Sequence, residues 1–341
     1  MSRITEGTLK ELYEQAKALR RMAPWQWMYD TDLFGVRNPD TGEVGYCCIM
    51  GRGGEFLGLA VYRGRAGLAS YEKLQEINQD GPMLPANPAF EQDCLMVSFN
   101  ARQDIHEQEH ERIRSLGLRF RGPTHWPSFS DYSPGMFPWP IQTEAQGRFL
   151  LVAMQQAMEV ATLCRQDQDL LDHVEDSAPC LLVREQEGGN WQDQWLPMTT
   201  YEPDLPAVIT HSLFLRSNLG SLASANSEWA VDLFYFPNPV QETPQQRPYL
   251  PLMLLVADLS TGLILGHTAY QPGEITEKLE GDFVNICKEA GELPHRMVMP
   301  SLEVMGYFKP FAQELDLKLE VNPQLKFLEE IKGSLFGSMS L

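Results

Sequence analysis

The sequence predicts an α+β protein built as two domains. Its 341 residues exceed what a single core of about 150 residues needs. Helical and strand periodicities alternate along the chain, and the composition turns polar near residue 172, after Arg165-Gln166-Asp167-Gln168-Asp169. A first domain is therefore expected at 1–172, an opening helix plus an antiparallel meander. The second, at 173–341, holds a compact mixed-sheet unit at 248–335. Hydrophobic residues make up 43% and charged residues 21%, which supplies apolar material for two cores and excludes general disorder.

Each element has its own warrant. Over 8–21, Leu9, Leu12, Ala16 and Leu19 recur every three or four residues, giving a helix one apolar face. Three apolar runs follow at 34–36, 44–50 and 56–62, joined by Asn38-Pro39-Asp40-Thr41-Gly42 and Gly51-Arg52-Gly53-Gly54. Pro fixes φ and Gly supplies positive φ, so the connectors predict turns and the runs a three-stranded meander. A short helix at 67–77, a strand at 94–99 and a polar helix at 104–116 come next. Thr143 and Gln146 make a capping box, and Phe149, Leu150, Met154, Ala157, Met158, Ala161 and Cys164 carry an apolar stripe to 165. That helix is the expected spine of the first domain.

Past the polar break, 180–183 and 191–196 read as strands about a turn at 186–190, and 229–236 as an aromatic strand. Residues 238–248, with Pro239, Pro244 and Pro248, read as a linker. The compact unit then runs as a hairpin (252–257, 263–270), a helix (274–290), a strand (296–299), a helix (301–315), a strand (317–321) and a helix (323–335). Its order is ββαβαβα.

Acidic side chains outnumber basic ones 46 to 27, a formal charge of -19. Such a surface repels polyphosphates and anionic lipids, so nucleic acid and membranes are disfavoured and an unknown protein or small-molecule partner is expected. The start lacks a basic segment followed by an apolar one, and the longest apolar run, 252–257, is far short of the ~20 residues of a spanning helix. A cytoplasmic chain is expected. Six scattered cysteines form no C-x-x-C pair, so they read as buried reduced thiols, and no cofactor signature is present.

Four patterns invite a functional reading. His106-Glu107-Gln108-Glu109-His110 spells the H-E-x-x-H zinc motif, which makes His106 and His110 weak metal candidates. The flanking Arg102-Gln103-Asp104 and Glu111-Arg112 favour a solvated polar helix instead. Gly51-Arg52-Gly53-Gly54 lacks a following Lys-Ser/Thr and reads as a turn, not a phosphate loop. The Pro-rich stretch 121–142 carries Trp126, Phe129, Tyr132, Phe137 and Trp139, and reads as a long aromatic loop: a binding surface for a peptide or small ligand, or a lid packed on the core. No G-x-S-x-G elbow or cysteine-nucleophile signature occurs.

The fourth pattern is Asp258, which ends an apolar strand. The order of elements around it loosely resembles that of ribonuclease H-like nucleases and integrases, where carboxylates on the first strand, a later strand end and a later helix hold Mg²⁺. That resemblance implies Asp258, Glu303 and Glu329 as a catalytic set. Two departures stand against it: one early strand is missing, and 296–299 exits into Pro300-Ser301 where an acid belongs. Asp258-Leu259-Ser260-Thr261-Gly262 also reads as a plain hairpin turn, echoing Asp40-Thr41-Gly42.

Several separated passages carry a resemblance. Ala23-Pro24-Trp25-Gln26-Trp27-Met28, Asp32-Leu33-Phe34-Gly35-Val36, Gly45-Tyr46-Cys47, Leu59-Ala60-Val61-Tyr62, Phe120-Arg121-Gly122, Trp126-Pro127 and Pro138-Trp139 resemble the N-terminal domain of an uncharacterised, largely bacterial two-domain family. Arg247-Pro248-Tyr249, Ala257-Asp258 and Thr261-Gly262-Leu263-Ile264-Leu265-Gly266 are similar to the small C-terminal domain that accompanies it. Both domains are of unknown function, so the resemblance implies no catalytic residues. A binding protein, not an enzyme, is the expectation; metal-dependent phosphodiester chemistry in the C-terminal domain is the alternative.

Overall fold

A computed structural model describes residues 2–54, 56–80, 90–175, 178–198 and 208–338, with 76–80 and 335–338 in backbone only. The chain divides into two units, Met1–Glu202 and Pro203–Leu341.

In the first unit, α1 (Glu6–Met22) starts at Thr5, whose Oγ1 accepts the Thr8 N–H at 3.2 Å. The expected meander follows as β1 (Phe34–Arg37), β2 (Val44–Met50) and β3 (Leu57–Arg63), then α2 (Gly64–Asp80) and β4 (Cys94–Asn100). Next come α3 (Glu107–Ser115), β5 (Trp126–Tyr132), β6 (Trp139–Pro140), α4 (Glu144–Gln166), β7 (Val174–Glu175), β8 (Ala178–Glu187) and β9 (Asn190–Pro197). The strands form one sheet in the order β6-β5-β4-β3-β2-β1-β8-β7, with β9 on β8. Its pairings are antiparallel except for β1 with β8. The sheet is thus a mixed one of mostly antiparallel strands.

Alternation along the strands feeds two cores. Phe34, Val61, Val97 and Phe129 pack with Leu12 and Tyr13 of α1 and Leu150 and Met154 of α4. The opposite parity, Cys48, Ala60, Tyr62 and Met96, packs with Tyr71 of α2. The Thr143–Gln146 capping box opens α4 as the sequence predicts. The polar break near 172 does not end this unit. Cys180 to Val183 carry on the apolar pattern, and Val183 pairs with Gly35, so β8 and β9 complete the first sheet.

The stretch 121–142, expected as a loop, contains the β5–β6 hairpin, with all seven β5 residues in register with β4. Its prolines mask a strand. The Phe129 N–H points away from β4 toward a side chain of α3, and Pro127, two residues earlier, turns its nitrogen to the same side. There β6 pairs only Ser130 and Asp131, so a missing N–H costs no ladder bond.

The second unit holds α5 (Ser212–Leu219), β10 (Ala223–Ser224), β11 (Glu228–Tyr235), β12 (Leu252–Asp258), β13 (Ile264–Tyr270) and α6 (Ile275–Ala290). It continues with β14 (Glu292–Leu293), β15 (Arg296–Met299), α7 (Leu302–Leu315), β16 (Lys318–Val321) and α8 (Lys326–Ser338). Its five-stranded sheet runs β13-β12-β11-β15-β16, antiparallel through β11 and parallel from β11 to β16. The strand 229–236, which the sequence reading leaves outside the compact unit, is the central strand. Trp229 and Val231 pack among residues of α5, α6 and α7, such as Leu215, Phe283 and Phe308. Ala230 faces the other way, with Leu255 and Leu328 of α8. No helix among the described residues is long and apolar enough to cross a membrane.

Candidate functional site

In the first unit, the polar-looking helix α3 hides a buried acid. Glu109 and Ile113 lie four apart on α3, so Glu109 turns inward with Ile113, and it is only 1% exposed. Glu109 Oε2 accepts the Ser128 hydroxyl, and Oε1 accepts the Phe129 N–H at 2.5 Å. The carboxyl thereby satisfies the outward backbone donor of β5 that β6 leaves uncovered. Burial pushes its pKa up to about 7, against the opposing pull of the Ser128 and Phe129 hydrogen bonds and of Arg112. The phenol of Tyr13 is pushed up by burial and then by the Glu109 charge. Tyr13 Oη and Arg112 Nη1 lie buried beside it without a hydrogen-bond partner among the described residues.

The two motif histidines serve different neighbours. His106 is the N-cap of α3; its Nδ1 accepts the Gln108 N–H at 3.2 Å, and its ring meets Trp139 edge-on at 4.6 Å. Burial, followed by the Arg112 charge, lowers its pKa. His110 stacks on Trp126 at 5.7 Å and accepts from Arg102 Nε at 3.3 Å. An open depression of about 340 Å³ lies beside them, lined by Arg102, Gln103, Ile105, Glu107 and His110. Of the five aromatic candidates, Phe129 is a core residue at 1% exposure, and Trp126, Tyr132, Phe137 and Trp139 are half-buried. Phe137 leans on Phe90, ring centroids 4.7 Å apart.

In the second unit, Asp258, Glu303 and Glu329 occupy a turn, the first turn of α7 and the first turn of α8. Asp258 Oδ1 accepts from Ser260 N at 3.0 Å, Ser260 Oγ at 2.7 Å, Thr261 N at 2.7 Å and Thr261 Oγ1 at 2.8 Å. These bonds, led by the Ser260 hydroxyl, hold its carboxyl below the usual carboxylate range. Glu329 pairs with Lys332 at 2.6 Å. Among the described residues, no group of three or more His, Cys, Asp or Glu side chains is placed to hold a metal ion.

The acid at the sheet centre is one the sequence reading passed over. Asp232 of β11 is 3% exposed, and its Oδ2 lies 2.7 Å from Lys332 Nζ of α8. Burial would lower the Lys332 pKa, but Asp232 and then Glu329 outweigh it and leave it raised. The ammonium also sits 5.3 Å from the centre of the Phe234 ring. A signal was present in Trp229-Ala230-Val231-Asp232-Leu233-Phe234, where one charge interrupts an otherwise apolar strand.

Fold and site together define a two-unit α+β protein, each unit a mixed sheet with helices, whose buried acids are fastened to neighbouring elements. Residues 10–184 match the family described as Domain of unknown function (DUF7309), and the chain belongs to that family. Residues 217–336 match a second, Domain of unknown function (DUF6930). This is the two-domain pairing that the sequence motifs resemble. The second match takes in β11 with the rest of its sheet. Comparison with curated proteins and with solved structures finds no match.

Proposed function

We propose that the protein is a non-catalytic binding protein, with its contact surface on the first unit around the half-buried rings of Trp126, Tyr132, Phe137 and Trp139. The observation that carries this reading lies in the second unit, where Lys332 neutralises the central acid Asp232 at 2.7 Å. A carboxylate that holds a catalytic cation needs open oxygen ligands and clustered acids. Here the Asp232 carboxylate is already paired with the Lys332 ammonium, and Asp258 Oδ1 is saturated by its own turn.

A second reading, metal-dependent phosphodiester chemistry, draws support from one feature. Numbered from β11, the sheet order is third, second, first, fourth, fifth strand, with α6 and α7 on one face and α8 on the other. That supports likening the second unit to a degenerate ribonuclease H-like domain. Asp232, not Asp258, then takes the first-strand place. Calorimetric titration of the full chain with Mn²⁺, paired with hydrolysis of a labelled RNA–DNA hybrid, separates the two. No binding heat and no cleavage are expected; cleavage that disappears in Asp232→Asn would sink the non-catalytic reading.

A further inference from the structure

The acidic average of this chain conceals a local reversal. Residues 112–130 contain Arg112, Arg114, Arg119, Arg121 and His125 and no acidic residue, in a chain with 46 of them. Arg114, Arg119 and Arg121 are exposed, as is Arg102. None of these four forms an ion pair among the described residues, whereas Arg37, Arg63, Arg184 and Arg296 each meet a carboxylate. Contacts place the segment that carries Arg119 and Arg121 beside Arg102. Phe120, between Arg119 and Arg121, lies 5.8 Å from Trp126, and Trp126 carries Arg102 at 5.9 Å and His110 on its ring. Arg20 of α1 donates from Nε to Thr124 O at 2.8 Å, tying the end of that helix to the same segment.

We propose that this face, Arg102 and residues 112–126, docks an acidic segment of a partner protein through side-chain carboxylates. The proposal rests on the binding-protein reading and names the chemistry of the partner. Three features select that occupant. Exposed guanidiniums without a carboxylate partner among the described residues match carboxylates in charge and in fork geometry. The rings beneath are already covered by the chain's own cations, Lys17 over Phe120, Arg20 over Trp25, and Arg102 with His110 over Trp126. Stacked bases of a single strand would need those ring faces free. Strand addition at β5 is blocked as well, since Pro127 offers no N–H and the Phe129 N–H is held by Glu109.

The test is fluorescence anisotropy of a labelled octaglutamate peptide titrated with the full chain at low salt. Wild type is expected to bind, and Arg119→Glu with Arg121→Glu to weaken binding at least about tenfold through like-charge repulsion. Lys318→Glu with Lys326→Glu makes the same change in net charge in the second unit and is expected to leave binding within about twofold. No binding by wild type, or equal losses in the two double variants, overturns the proposal. An oligothymidylate of eight nucleotides bound more tightly than the peptide also overturns it, in favour of nucleic acid. Hybrid cleavage, which decides the non-catalytic reading, is unaffected by any of these results.

Discussion

Replacing Glu109 with Gln isolates the cost of its buried charge. The carboxyl is 1% exposed, and its pKa stands at about 7 against an ordinary 4.5. Between those two values the folded protein keeps a proton that the unfolded chain has lost, so this group's contribution to stability falls as pH rises through the window and levels off above about pH 7. At about 1.36 kcal/mol for each pH unit, the fall is about 3 kcal/mol. Gln does not titrate, yet keeps an oxygen to accept the Phe129 N–H. Relative to wild type, the variant is therefore expected to gain about 3 kcal/mol on going from about pH 4.5 to about pH 8. The charges facing Glu109 are Arg112 on α3, with the neutral phenols of Tyr13 and Tyr132 beside it. Hydrogen exchange along a urea series, read on peptides covering α3 and β5, follows the first unit alone. Parallel pH profiles for wild type and variant would refute the reasoning, because they would show that Glu109 has the same proton affinity folded and unfolded.

Two further substitutions probe packing. Lys332→Met leaves Asp232 buried without its counter-ion, with an expected loss of about 3 to 5 kcal/mol in the second unit at neutral pH; urea unfolding read by exchange in β11 checks it, and a loss under about 1 kcal/mol would mean the pair is idle. In Gly45→Ala the new Cβ would lie 2.5 Å from Phe149 Cζ and 2.7 Å from Val61 Cγ1, so a loss of about 1 to 3 kcal/mol is expected from thermal unfolding, with an unchanged midpoint counting against a tight α4–β2 contact.

What could be read from sequence divides along physical lines. Local signals carried far: the turns at 38–42 and 258–262, the β12–β13 hairpin and the Thr143 cap all depend on residues a few positions apart. Non-local pairings did not show themselves. Val183 lies beside Gly35 because of the sheet, not because of any nearby residue, and β11 joins β12 across the Pro-rich stretch 238–248. Proline density around β5 suggests a loop unless the unpaired side of the strand is known. At the candidate sites the obstacle was averaging. Glu109 disappears into a charged helix and Asp232 into an aromatic strand, although a spacing of four and an interrupted apolar run marked each one.

The parallel contact of Gly35 with Val183 also has a bearing on synthesis. Strands β1 to β5 each pair with the next strand in the chain, so β1 to β6 can join the sheet in order while the chain is still emerging, yet β1 keeps one flank bare until β8 has left the ribosome. During that interval the nascent sheet exposes a row of unsatisfied amides, the state in which chains stick to one another. Fragments ending near residue 172 should accordingly collect as aggregates, and extending them to 202 should keep them in solution.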